Sequence, residues 1–146
     1  MCGVPGLHEA QHQEAVRSRI RRQEALYDPA KRFHLILWEA ALRALVCPPS
    51  VLAAQLDRLS GAVGLDTVEL GIIPLSASLK LPPATAFWVY DDSRVIVETW
   101  HSELWIEDAA SVSTYLRTWH TLRESAVYGS DAHRIITAAR QSLNVA

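Results

Sequence analysis

Ala86-Phe87-Trp88-Val89-Tyr90 and Arg94-Val95-Ile96-Val97-Glu98-Thr99-Trp100 flank the tripeptide Asp91-Asp92-Ser93. Two runs rich in aromatic and β-branched residues around a short polar turn read as a tight β-hairpin. A short strand around Leu104-Trp105-Ile106 follows it. Upstream, Phe33-His34-Leu35-Ile36-Leu37-Trp38 is a nearly continuous apolar run, which suits a buried strand. Thr67 to Ile73 reads as a second strand, ended by Pro74, and the segment Leu75 to Pro83 reads as a long loop.

Helices fill the intervals. Glu9 to Leu26 predicts a long helix, broken by Tyr27-Asp28-Pro29 because proline cannot continue a helix and disfavours it one residue earlier. Glu39 to Leu45 predicts a turn or two of helix, interrupted by Cys47-Pro48-Pro49. Ser50 is placed to cap a helix from Val51 to Leu59, with Leu52, Leu56 and Leu59 on one side. Asp108 is placed to cap a helix through Leu122, and Ser130-Asp131 to start a last one to Leu143. Together these predict one α+β domain over residues 1–146, a small and mainly antiparallel sheet with helices packed on one face. Residues 1–14 read as a variable amino-terminal extension of the first helix.

Composition bounds the function. The chain has 146 residues, 49% of them hydrophobic, enough for one good core. A net charge of -2 gives no basic footprint for nucleic acid. The basic cluster Arg17, Arg19, Arg21 and Arg22, with Glu14 and Glu24 on the same helix, reads as a solvated helix face. No apolar run reaches membrane-spanning length and the start lacks a signal-peptide pattern, so the expected location is cytoplasmic and unattached to a membrane. Cys2 and Cys47 suggest no disulfide framework, and Cys47 is expected to pack as a small apolar residue. His8 and His12 lie one helical turn apart without a third ligand, so no metal site and no cofactor is expected.

The chain also resembles a known family. Val16 to Gln23, Leu37-Trp38-Glu39-Ala40-Ala41-Leu42-Arg43, Ala54 to Leu59, Ile72-Ile73-Pro74-Leu75-Ser76-Ala77, Val97-Glu98-Thr99 and Trp105 to Leu122 follow one another in a characteristic order. In this order they resemble the domain of unknown function that follows the helix-turn-helix in many actinobacterial WhiJ-like, antitoxin-like regulators. The resemblance implies a regulator's carboxy-terminal domain, here expected as a stand-alone relative or an excised domain that does not read DNA by itself. Cys47-Pro48-Pro49 stands where the family tends to carry Gly-Gly-Pro, Ser78 where it carries Gly, and Ile96 where it carries Tyr. Those departures lie at loops and strand ends, the pattern expected when a scaffold is kept and its surface or pocket is retuned.

Two carboxylates and four indoles are the candidate site. Glu39 follows one apolar strand and Glu98 interrupts another. A carboxylate in apolar surroundings has its pKa raised and serves as general acid or base. The structural alternative pairs Glu39 with Arg43 and leaves Glu98 at an exposed strand end. Trp38, Trp88, Trp100 and Trp105, with His101, are the expected ligand-binding residues, walling a pocket between the sheet and the loop Leu75 to Pro83. The competing reading makes the indoles core, as Trp119 and Tyr115 are expected to be. Three functions fit: a sensor or interaction module for a small molecule or partner protein, a recruited cofactor-independent cyclase or isomerase of specialised metabolism, or an antitoxin-like partner-binding protein. The helix Glu9 to Leu26 is expected to pair with a second copy in a homodimer.

Overall fold

The computed structural model describes residues 23–143 and, ahead of them, residues 14 and 17. Most of the expected first helix, His8, His12 and the homodimer contact lie outside the described residues. Its described end, Ala25–Tyr27, is a 3-10 turn.

The apolar run forms β1, Phe33–Trp38, which pairs in parallel with β2, Val68–Ile73. Parallel neighbours need a crossover, and here it consists of α1, Glu39–Arg43, and α2, Pro49–Ala62. Proline suits the first position of α2, where its missing N–H has no helical partner to lose. The cap position falls on Pro48, so Ser50 lies inside the first turn and does not cap as expected. Alternation along the pair turns Phe33, Leu35 and Leu37 with Val68, Leu70 and Ile72 into one core, where Leu52 and Leu56 of α2 meet Ile136 of α4, Gly129–Gln141. Cys47 packs at its margin. Ala132 and Ala139 are fully covered on α4, so that helix sits close to its neighbours, and Arg140 Nε bonds Asp57 across to α2 at 3.2 and 3.3 Å. Gly129 enters α4 at φ +55, a backbone region easy only for glycine.

The hairpin is present, and it extends into a second sheet. β3, Phe87–Tyr90, β4, Arg94–Glu98, and β5, Glu103–Ile106, form an antiparallel meander in the order β3-β4-β5. Asp91 and Asp92 turn it with φ of 48 and 55, left-handed values that aspartate tolerates better than most residues. α3, Ala109–Arg123, covers one face, where Val95, Val97 and Val112 are buried among Phe87, Val89, Ile106, Tyr115 and Leu116. Asp108 caps α3 as expected, its side chain accepting from Ser111 N at 2.9 Å.

The fold is α+β, but its strands form two sheets, one parallel and one antiparallel. Each sheet buries its own face under its own helices, giving two cores. Where the chain leaves α3, Val127 exchanges both backbone hydrogen bonds with Ile72 of β2, at 2.9 and 2.8 Å, and so stitches the halves together. Among the described residues no helix is long and apolar enough to cross a membrane.

Candidate functional site

With Phe87, Val89, Val95, Val97 and Ile106 turned toward α3, alternation leaves Trp88, Tyr90, Arg94, Ile96, Glu98, Glu103 and Trp105 on the outer face of the meander. The register sets Trp88 opposite Ile96 and Ile96 opposite Trp105, one row across all three strands. Trp88 remains 50% exposed, Tyr90 50% and Trp105 58%. Apolar surface left in water forgoes about 25 cal/mol per Å², so the row does little for the chain's own core. On one side of it the Arg94 guanidinium lies 5.4 Å from the Trp105 ring centre while its Nε donates to Glu107 at 2.7 Å. On the other side Glu98 faces Glu103 directly, and Trp105 Nε1 donates to Glu103 at 3.3 Å. Asp91 and Asp92 add two more exposed carboxylates at the hairpin turn.

The other sequence-named residues fall elsewhere. Trp100 and His101 form the tip of the β4–β5 turn, closed beneath them by Thr99 N donating to Ser102 O at 2.8 Å and Ser102 N donating to Thr99 Oγ1 at 3.1 Å. Both side chains are exposed there. Trp38 belongs to the other sheet, at the end of β1 opposite Ile73, and is 40% exposed. The structure therefore brings Trp88 and Trp105 together and leaves Trp38 and Trp100 apart from that row. None of the four indoles is buried, so the reading that makes them core is corrected. The reason lies in Phe87-Trp88-Val89-Tyr90, where both alternating faces are apolar and only one meets α3.

Glu39 is held by its structural partners. Its Oε1 accepts from Arg43 Nε at 3.0 Å and Nη2 at 2.7 Å, and its Oε2 accepts from the Leu75 amide at 2.9 Å. The Leu75 N–H, with Arg43, holds the carboxyl below the usual glutamate range in spite of partial burial. The expected raised pKa is thus corrected to a lowered one, and the Arg43 pairing is observed. Glu98 lies exposed at the end of β4. Glu39→Ala is expected to cost about 1–2 kcal/mol, since it orphans the Leu75 amide and frees Arg43. A carboxyl whose folded pKa is lowered stabilises fully above its ordinary value of 4.5 and loses that contribution as pH falls through the folded value. Melting from pH 7 to 3 should therefore show wild type and Glu39→Gln separated at neutral pH and drawing together as the pH falls below 4.5. A constant gap would contradict this.

A second cluster is not visible in the sequence. The face of β1–β2 opposite the core carries His34 against Glu69 and Ile36 against Gly71. His34 Nδ1 donates to Glu69 Oε2 at 2.9 Å, and Arg123 Nη2 donates to both Glu69 oxygens at 2.9 and 3.0 Å. The His34 bond, followed by Arg123, holds the Glu69 carboxyl below its usual range. Arg123 also lies over the Trp119 and Tyr128 rings, at 5.4 and 5.9 Å from their centres. Burial pushes the Tyr128 phenol up, and its oxygen is buried without a well-aligned hydrogen bond. Because α3 supplies Trp119 and Arg123, this cluster clamps the second core to the first sheet. Lys80 to Glu124, and Ser125 Oγ donating to Ser78 O at 3.3 Å, tie the loop after β2 to the end of α3. The sequence signals were a lone Glu69 in an apolar strand and Gly71 two residues on; the pairing that gives them meaning was not legible.

A cleft of about 390 Å³ opens between the hairpin turn and the start of α3, lined by Asp92, Ser93, Glu107, Val112 and Leu116 among others. It contains none of the candidate site residues named from the sequence. Among the described residues, no three His, Cys, Asp or Glu side chains are grouped as a metal ion requires. A family model described as "Domain of unknown function (DUF5753)" matches residues 1–138. No curated protein and no solved structure matches the chain.

Proposed function

This chain belongs to the DUF5753 family, and we propose that it is a regulator-type interaction module that binds a partner protein through the outer face of its meander. The observation that carries this is the row Trp88–Ile96–Trp105, whose two indoles are exposed on either side of a half-buried Ile96, with exposed Tyr90 beside it. Small-molecule sites are concave and enclose most of their ligand, whereas this face is an open sheet surface. Tryptophan, tyrosine and arginine are the residues on which binding energy concentrates at protein interfaces, and this face presents all three. In the actinobacterial regulators that the chain resembles, such a domain follows a helix-turn-helix. Occupancy of the face would there be passed to the DNA-binding half. An antitoxin-like role uses the same face with a small dedicated partner. The recruited-enzyme reading draws no support from Glu39, whose carboxylate is committed to Arg43 and the Leu75 amide.

The test is site-directed photo-cross-linking in the cells that make the protein. A photoreactive residue at Ile96, in the middle of the row, is expected to give a discrete adduct with one partner. The same residue at Gln55, exposed on α2, is expected to give none. No adduct from Ile96, or the same adducts from both positions, would overturn the proposal.

A further inference from the structure

Glu98 and Glu103 stand directly opposite each other at the end of the aromatic row, on the exposed face of an antiparallel pair. Like charges in that relation destabilise a sheet. Elsewhere the described carboxylates are commonly neutralised: Glu39 by Arg43, Glu69 by Arg123, Glu107 by Arg94, Asp57 by Arg140. Arg94 is the basic residue that the three strands place on this face, and it is committed to Glu107 and the Trp105 ring. The face therefore combines exposed indoles with unneutralised negative charge from Glu98 and Glu103 at one end.

We infer that the face takes an arginine-bearing segment of a partner protein. A guanidinium sits between the Glu98 and Glu103 carboxylates, and neighbouring side chains lie across Trp88 and Trp105. Arginine suits better than lysine because its planar fork bonds two carboxylate oxygens at once and stacks on indole faces. Arg94, 5.4 Å from the Trp105 ring centre, already sets a guanidinium against an indole within the chain. The inference rests on the interaction-face reading above and adds the chemistry of the partner.

The probe is a set of labelled ten-residue peptides carrying four arginines, four lysines or four glutamines, titrated into the full chain by fluorescence anisotropy. The arginine peptide is expected to saturate and to bind at least roughly ten-fold more tightly than the glutamine peptide, with the lysine peptide between them. The double variant Glu98→Gln/Glu103→Gln is expected to lose roughly ten-fold or more in affinity for the arginine peptide. Its melting temperature should be unchanged or raised, because a repulsion has been removed and the fold has not been harmed. Equal binding of the arginine and glutamine peptides, or unaltered affinity in the double variant, would overturn the inference. So would self-association of the chain that competes with the peptide and disappears in the double variant, which would make a second copy the occupant. A discrete Ile96 adduct without peptide discrimination would sink only the cationic chemistry, whereas failure of both experiments would remove the face itself.

Discussion

Replacing Ile72 by alanine is expected to lower the stability of the chain by about 3 kcal/mol, within the range for truncating a fully buried aliphatic side chain. Ile72 is 0% exposed and lies in the centre of the first core. Its neighbours across the sheet and on the helices, Leu37, Leu56 and Ile136, belong to separate elements and cannot all close the void together. The backbone should be unaffected, because the two hydrogen bonds that join Ile72 to Val127 involve only main-chain atoms. Denaturant titration should show a lower midpoint with an unchanged slope. A loss below about 1 kcal/mol would mean that this site is not the packed centre described here.

Gly71→Ala is expected to cost about 1–3 kcal/mol, the range for overpacking a filled site. A Cβ at Gly71 would stand 2.6 Å from Tyr128 Cε1, 2.8 Å from Cζ and 3.0 Å from the phenol oxygen. The ring has little freedom to retreat, since Arg123 covers it and Val127, one residue earlier, is bonded to β2. In a Tyr128→Ala background the obstacle is gone. There the same substitution should stabilise by about 0.5 kcal/mol, the advantage of alanine over glycine inside a strand. A double-mutant cycle measures the coupling directly, and additive effects would show that Tyr128 does not rest on Gly71.

What could be read from the sequence was local. Asp91-Asp92-Ser93 between two β-rich runs identifies the hairpin because turn chemistry acts over a few residues. The Glu39–Arg43 pair follows from four-residue spacing on a helix, and the Asp108 cap from its place just ahead of α3. The spacing of Leu52 and Leu56 marks the side of α2 that is buried. Non-local pairing was beyond reach. Nothing near Phe33 in the sequence says that it pairs in parallel with Val68, and nothing near Glu69 points to Arg123. Without those pairings the strands merge into one imagined sheet, and the clamp of His34, Glu69, Arg123 and Tyr128 disappears from view. The indoles failed for a different reason. Trp88 and Trp105 lie on strands whose apolar residues outnumber the positions that α3 can cover, so hydrophobicity alone assigned no face. It was the exposure of those residues, absent from any composition count, that turned a supposed pocket wall into a surface.

Oxidative footprinting reads directly whether a partner occupies the outer face of β3–β4–β5 in the cell. Hydroxyl-radical labelling followed by mass spectrometry would compare the purified chain with the chain labelled inside the cells that make it. Trp88 and Trp105 are the reporters, and Trp38, exposed on the other sheet, is the internal control. The expected result is strong protection of Trp88 and Trp105 in the cell, with Trp38 labelled equally in both settings. Equal labelling of all three, or protection of Trp38 alone, would contradict partner binding at this face.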